Sequence, residues 1–334
     1  MVLQPFSIAL LSSTALRAPS RVRPLALAMS MTLAAGVASA DPELRNIEAG
    51  RADVSRDGAV TTFTNKSGRV VANWNDLDVP EGHTLAFTGG TLTINRDLSG
   101  TRTNWDGTVT SDHTFVVHNR HGLTVGDQAT IDINGKIGAG LVVSTQDIST
   151  ENAMAGRLVF DGEGPADGAT IVNRGTISIA EGGFAALVAP EVANAGVILA
   201  PVGKVELASG DAFTVDPVGD GLITFLADQG EDRGQIGPRV TNTGEISAEG
   251  GYIALTAQSI GRMVENAVAL GGVTRAGGLA RGENGEIRLT AIDGGAMISG
   301  TVEAPTLTVE AAKVDIAQAT ITARSIDARR RRDI

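Results

Sequence analysis

The chain has 334 residues, 27 basic against 38 acidic, a net charge of −11, no cysteine, and only two Trp, one Tyr and eight Phe beside 42 Gly. The acidic balance disfavours nucleic acid and anionic lipid as partners, and the missing thiols exclude disulfides and thiolate chemistry. So few large side chains cannot fill a spherical core; Val, Ile, Leu and Ala alternating with Thr, Ser and Asn suit a narrow core stacked in layers.

Residues 1–40 carry no acid, hold Arg17, Arg21 and Arg23, and then run "LALAMSMTLAAGV" into Ala38-Ser39-Ala40. Basic flank, apolar run and small-residue exit come in the order of a cleaved secretory signal, with the A-x-A site at Ala38 and Ala40. Cleavage there removes three arginines and no acid, which moves the net charge from −11 to −14. No later stretch has the roughly 20 consecutive apolar residues of a spanning helix, so no membrane span is expected in the mature chain. A cysteine-free chain also carries no covalent loop that would stop it threading a pore unfolded.

Residues 41–80 alternate poorly and hold Trp74, which marks them as a candidate N-terminal cap. From 81 onward, alternation is the main signal: "TLAFTGGTLTIN", "TFVVHNRHGLTVG" and "ATIDINGKIGAGLVVST" read as strands broken by turns. Three segments then align with one another: "NRGTISIAEGGFAALVA", "NAGVILAPVGKVELAS" and "NTGEISAEGGYIALTA". Each opens N-x-G-x-I, giving the pairs Asn173 and Gly175, Asn194 and Gly196, and Asn242 and Gly244. The period-two positions Ile177 and Ile179, Ile198 and Ala200, and Ile246 and Ala248 should face one way.

The first two copies are 21 residues apart, about one coil of a parallel β-helix; the third follows after 48, read as two coils plus the insertion "DPVGDGLITFLADQGEDRGQIGP". Asn and Gly suit the corners, because both accept φ > 0 and Asn can bond along a ladder. Further on, "AQSIGRMVENAVAL" (257–270) is the one helix-like stretch, "GEIRLTA", "TVEAPTLTVEA" and "KVDIAQATITA" resume the alternation, and residues 326–334 read as a basic, solvated tail. The expected layout is thus a leader at 1–40, a cap at 41–80, coils at 81–325 and a tail.

Candidate chemistry is sparse. His118 and His121 lie three apart on a turn, a spacing open to Zn²⁺, but with four His and no thiol in the chain no third ligand is evident, so no metal and no cofactor are expected. Parallel β-helices include polysaccharide lyases and hydrolases. Here Asp76 with Asp78, Asp53 with Asp57, and the acidic 216–232 stretch are the carboxylate candidates, each also explained as a solvated rim or turn. No nucleophile elbow, phosphate loop or calcium repeat is present.

The ordered motifs "GRVVANWNDLDVPEGHTLAF", "TINRDLSG", "DGTVTS", "FVVHNRHGLTVG", "GLVVSTQDIS" and "NRGTISIAEGGFAALVAPEVANAGVILAPVGKVELASGDAFTVD" resemble the N-terminal secretion domain of filamentous haemagglutinin-like exoproteins of two-partner secretion. The resemblance implies an all-β fold, a right-handed single-stranded parallel β-helix with an N-terminal β cap, with the secretion domain running to about residue 260. It implies secretion through the periplasm of a Gram-negative cell, with recognition by the POTRA domains of an outer-membrane β-barrel transporter and folding at the cell surface. It implies no enzymatic activity. Haemagglutinin or adhesin activity towards a host-cell or glycan surface follows only by analogy, and a binding module independent of any transporter is the alternative. The family's N-P-N-G turn is represented here by Asn119-Arg120-His121-Gly122, so Asn119 and Gly122 carry over as turn-forming or transporter-recognition residues. Asn95 and Arg96 supply the matching "NR". Family members are usually far longer, so the chain is expected to be a short exoprotein or a truncated one.

Overall fold

The structure is a computed structural model that describes residues 41–219, 221–226, 239–258, 264–277 and 285–330. Ala38 and Ala40, with the rest of the leader, lie outside the described residues.

Strands stack in three parallel columns wound around one narrow core, the architecture of a parallel β-helix. The first column runs through Val60–Asn65, Thr84–Thr88, Thr108–Ser111, Thr130–Ile133, Thr176–Ile179, Val197–Leu199, Glu245–Ser247 and Val273–Arg275. The second runs through Arg69–Asp76, Leu92–Asp97, Thr114–His118, Gly140–Ser144, Phe184–Val188, Lys204–Ser209 and Tyr252–Gln258. The third holds Thr103–Trp105, Gly122–Val125, Thr170–Asn173, Glu191–Asn194, Val240–Asn242 and Val264–Leu270. In the last coils the strands bend round corners without a break: Thr301–Ile316 contributes to all three columns and Thr320–Arg330 to the first two.

The period-two pattern causes this winding. Along Thr176–Ile179 the isoleucines are buried and Thr176 and Ser178 half-buried, so one face of each strand enters the core and the other meets solvent. Ile177, Ile198 and Ile246 pair in register, as do Leu187, Leu207 and Leu255. All lie in one apolar column that runs from Phe63 to Ala311. The first coils are filled by aromatic contacts, Phe63 on Trp74 and Phe87, and Phe115 on Phe87 and Trp105.

At the N-terminal end, Glu43–Ala49 pairs antiparallel with Arg69–Asp76, and Ala52–Asp57 with Val60–Asn65. Reversed strand direction ends the winding and covers the edge that a first coil would otherwise expose. The coils begin at Val60, inside the segment expected as cap, and Trp74 belongs to the core.

Two excursions leave the winding. Residues 145–169 form a short helix, Thr150–Ala155, and the strand Val159–Phe160; residues 210–226 form Phe213–Val215 and Ile223–Phe225. The three strands make an antiparallel sheet that closes a second apolar cluster over the outer face of the second column. This is why Gly140–Ser144 and Phe184–Val188 are buried on both faces, the continuous apolar pattern of a covered parallel strand.

Three expectations are corrected. Asn194 pairs directly with Asn242, so their separation of 48 is one coil interrupted by the second excursion, not two coils. Within the helix-like region 257–270, residues 257–258 end the strand Tyr252–Gln258 and 264–270 form another, because both pair in the columns; 259–263 lie outside the described residues. The expected tail is strand as far as Arg330.

Candidate functional site

The residues singled out at the turn and at the "NR" converge on the corner between the second and third columns. Asn95 and Arg96 end the strand Leu92–Asp97, and the next coil sets Val117 and His118 beside them in register. Asn119 follows immediately.

Asn95 is fully buried. It accepts from Trp74 Nε1 at 3.0 Å and donates to the Val116 carbonyl at 3.2 Å, which satisfies both ends of its amide. Asn119, 1% exposed, donates to Thr101 O and Thr103 Oγ1 at 2.8 Å each and to Asp97 Oδ2 at 3.2 Å. Its Oδ1 accepts from His121 N at 2.8 Å, and its carbonyl accepts from Gly122 N at 2.9 Å, which closes a four-residue turn. Gly122 has φ of +94°, and a Cβ there would sit 2.0 Å from the Thr170 carbonyl oxygen. No side chain fits that place. The solvent-facing part of the turn is Arg120, which pairs with Glu163 of the first excursion.

Arg96 is 8% exposed and its fork bonds two segments, the cap strand and the first excursion. Nη1 donates to Glu48 Oε2 at 2.6 Å, Nε to Asp147 Oδ1 at 2.9 Å, and Nη2 to the Ile148 carbonyl at 2.6 Å. Thr150 Oγ1 lies 3.2 Å from Nη2 and itself bonds Glu48. Burial raises the Glu48 pKa, but hydrogen bonds from Thr150 and Asn73 and the Arg96 charge outweigh it and leave the carboxyl below its ordinary range. His118, 4% exposed, lies 3.5 Å from Asp147 through Nδ1, and neither ring nitrogen has a hydrogen-bond partner. Burial pushes its pKa down, with Asp147 opposing. Sequence reasoning singled out Arg96 but missed Glu48, Asp147 and Thr150. The only local signs were Ser149 as a helix N-cap and Gly156 as a left-handed C-cap around a six-residue helix.

The three Asn/Gly pairs line the opposite corner, where the third column meets the first. Asn173 Nδ2 donates to Asn194 Oδ1 at 2.8 Å, and Asn194 Nδ2 to Asn242 Oδ1 at 2.8 Å. Asn242 Nδ2 ends the ladder on Thr274 Oγ1 at 3.0 Å. Gly175, Gly196 and Gly244 pack on one another; a Cβ on Gly196 would come within 2.1 Å of the Gly175 carbonyl oxygen.

The carboxylate candidates do not converge. Asp76 Oδ1 caps Asp78 N at 2.8 Å, Asp78 Oδ1 accepts from Asn104 N at 2.6 Å, and Asp53 pairs with Lys66 on the exposed cap strand. Burial raises the Asp76 pKa, with its bond from Asp78 opposing. Of the acidic 216–232 stretch, Asp216 folds back on Val218 N and Gly219 N, and 227–232 lie outside the described residues. Among the described residues no three His, Cys, Asp or Glu gather as a metal site, and no helix is long and apolar enough to cross a membrane.

The fold is thus a capped parallel β-helix with an outer antiparallel cover and with buried asparagines at its corners. The TPS secretion domain family model matches residues 43–329, and the chain belongs to that family. The secretion domain of HMW1 from Haemophilus influenzae is similar, with 25% identity and a TM-score of 0.71 over 84% of this chain and 73% of that one. A filamentous hemagglutinin secretion domain aligns at 15% identity and a TM-score of 0.44, over 86% of this chain and 97% of that one. No curated protein sequence matches the chain. Family membership makes this a secreted exoprotein domain recognised by a partner outer-membrane transporter, among relatives that are secretion domains and not enzymes.

Proposed function

We propose that the domain leads its chain, after removal of the leader at Ala40, to the POTRA domains of its outer-membrane transporter, and coils up outside the cell without catalysing a reaction. The family match over 43–329 carries this reading. Coiling buries apolar surface at about 25 cal/mol per Å², which biases a threading chain outward with no nucleotide hydrolysis. Asn95, Arg96, Asn119 and Gly122 serve the folded corner, since all four are buried in it. Any direct contact of their side chains with the transporter belongs to the chain before this corner closes. The exposed Arg120 is available for contact in either state. The strand faces offer a glycan little aromatic surface, because Phe63, Trp74, Phe87, Trp105 and Phe115 lie inside the coils and Phe160 and Phe213 of the outer sheet are buried in the second cluster.

The test is release of the mature chain from a Gram-negative host with and without the candidate transporter. Transporter-dependent release is expected. Folded chain retained in the periplasm in both strains would remove the export reading. Arg120→Ala should fold normally, so reduced release of that variant assigns Arg120 to the contact; Gly122→Ala should lower release through misfolding.

A further inference from the structure

The Arg96 network joins parts of the chain that are far apart in sequence. Glu48 lies 48 residues before Arg96, Asp147 lies 51 after it, and Thr150 and Glu48 are 102 apart. These belong to three elements: the cap strand Glu43–Ala49, the coil strand Leu92–Asp97 and the first excursion. Arg69 adds a second link, with Nη1 donating to the Met154 carbonyl at 2.9 Å. Val71 beneath the cap shares an apolar cluster with Ile148 and Ala153.

An arginine cannot shed its charge to enter a buried site, and burying it with too few partners is strongly unfavourable. Glu48 alone occupies only Nη1; Nε and Nη2 are satisfied by Asp147 and by the Ile148 carbonyl. A chain that presents residues 43–97 without 147–150 therefore holds Arg96 in water, and Glu48, which keeps its bond from Asn73, loses those from Arg96 and Thr150.

We propose that Arg96 is a clasp that makes closure of the N-terminal cap conditional on arrival of Asp147–Thr150, so that the first cooperative folding unit spans about residues 43–155. On the export reading above, on which this consequence rests, the leading coils stay open in transit until that length has emerged.

The clasp can be tested on the purified full-length chain by hydrogen exchange, with no transporter present. Asp147→Asn should accelerate amide exchange in 43–49, and Glu48→Gln should do the same in 147–155, each by at least about tenfold, which corresponds to ~1.4 kcal/mol. Amides of Val240–Asn242 and Tyr252–Gln258 should not change. In pulse-labelled refolding, 43–49 and 147–155 should gain protection in the same phase. Acceleration confined to the substituted segment, or protection of 43–49 in an earlier phase, overturns the clasp. Arg96→Lys, which keeps the charge but not the fork, should loosen both segments together; loosening of neither also overturns it. A chain that fails these tests yet still needs its transporter for release refutes the clasp alone.

Discussion

Glu206 lies fully buried on the outer face of the second column, where its carboxyl accepts from Ile223 N at 2.9 Å and Thr256 Oγ1 at 2.8 Å. Burial pushes its pKa up to about 7 against these two bonds. A carboxyl that binds its proton more tightly when folded contributes stability that is full below its unfolded value of 4.5 and is lost as pH rises to about 7. The loss is on the order of 3 kcal/mol. His118 acts in the opposite sense: its depressed pKa favours the neutral ring in the fold, so its contribution is present above 6.5 and lost as pH falls below it. In urea midpoints measured across pH 4 to 8, Glu206 thus gives an alkaline limb that falls from 4.5 towards 7 and His118 an acid limb that falls below 6.5, and the two oppose each other where they overlap. Glu206→Gln should flatten the alkaline limb and His118→Leu the acid limb; an unchanged profile in either variant refutes that assignment. At the corner ladder, Asn194→Ala leaves Asn173 Nδ2 only the Val197 carbonyl at 3.4 Å and strands the Oδ1 of Asn242, and should cost about 1–3 kcal/mol in the same measurement.

The two apolar clusters make different elements depend on different side chains. Ile198 is fully buried in the core column, so Ile198→Asp places an unpaired charge among Ile177, Ile246 and their neighbours. The chain should fail to fold, and a soluble β-rich variant with the wild-type melting curve would refute the register. The outer sheet is less demanding. Phe160 and Phe213 stack at 4.6 Å with 4° between their planes, and Phe213→Ala should cost about 3–5 kcal/mol. That loss should appear as rapid exchange in 159–160 and 213–225, with the columns still protected, because the outer sheet touches only one face of the helix. Loss of protection throughout the coils would show instead that the cover and the winding fold as one unit.

Across the whole molecule, the sequence made the coil legible where alternation is strict and left it obscure where the chain is covered. At Ile177, Ile198 and Ile246 one face is wet and the other dry, so period two survives in the residue pattern. At Val142, Phe184, Ala186 and Val188 both faces are dry, and the pattern collapses into an apolar run that does not reveal what lies on its far side. The 48-residue gap between Asn194 and Asn242 was ambiguous for a similar reason: length alone does not distinguish an extra coil from an excursion. The strand at 264–270 was hidden because "VENAVAL" pairs in the third column although its composition suits a helix equally well, and tertiary pairing decided between them.

What the sequence determined by itself was the repeating unit: alternation, a local property of a few consecutive residues, fixes which side chains enter the core, and the recurring Asn and Gly mark where the chain turns. Only the tertiary structure decided that Arg96 meets Glu48, Asp147 and Thr150, that two excursions join into one covering sheet, and that Glu206 is sealed from water beneath it. Those contacts join residues tens to a hundred positions apart, and their energies come from desolvation and partner geometry, which exist only once the coils have brought the segments together.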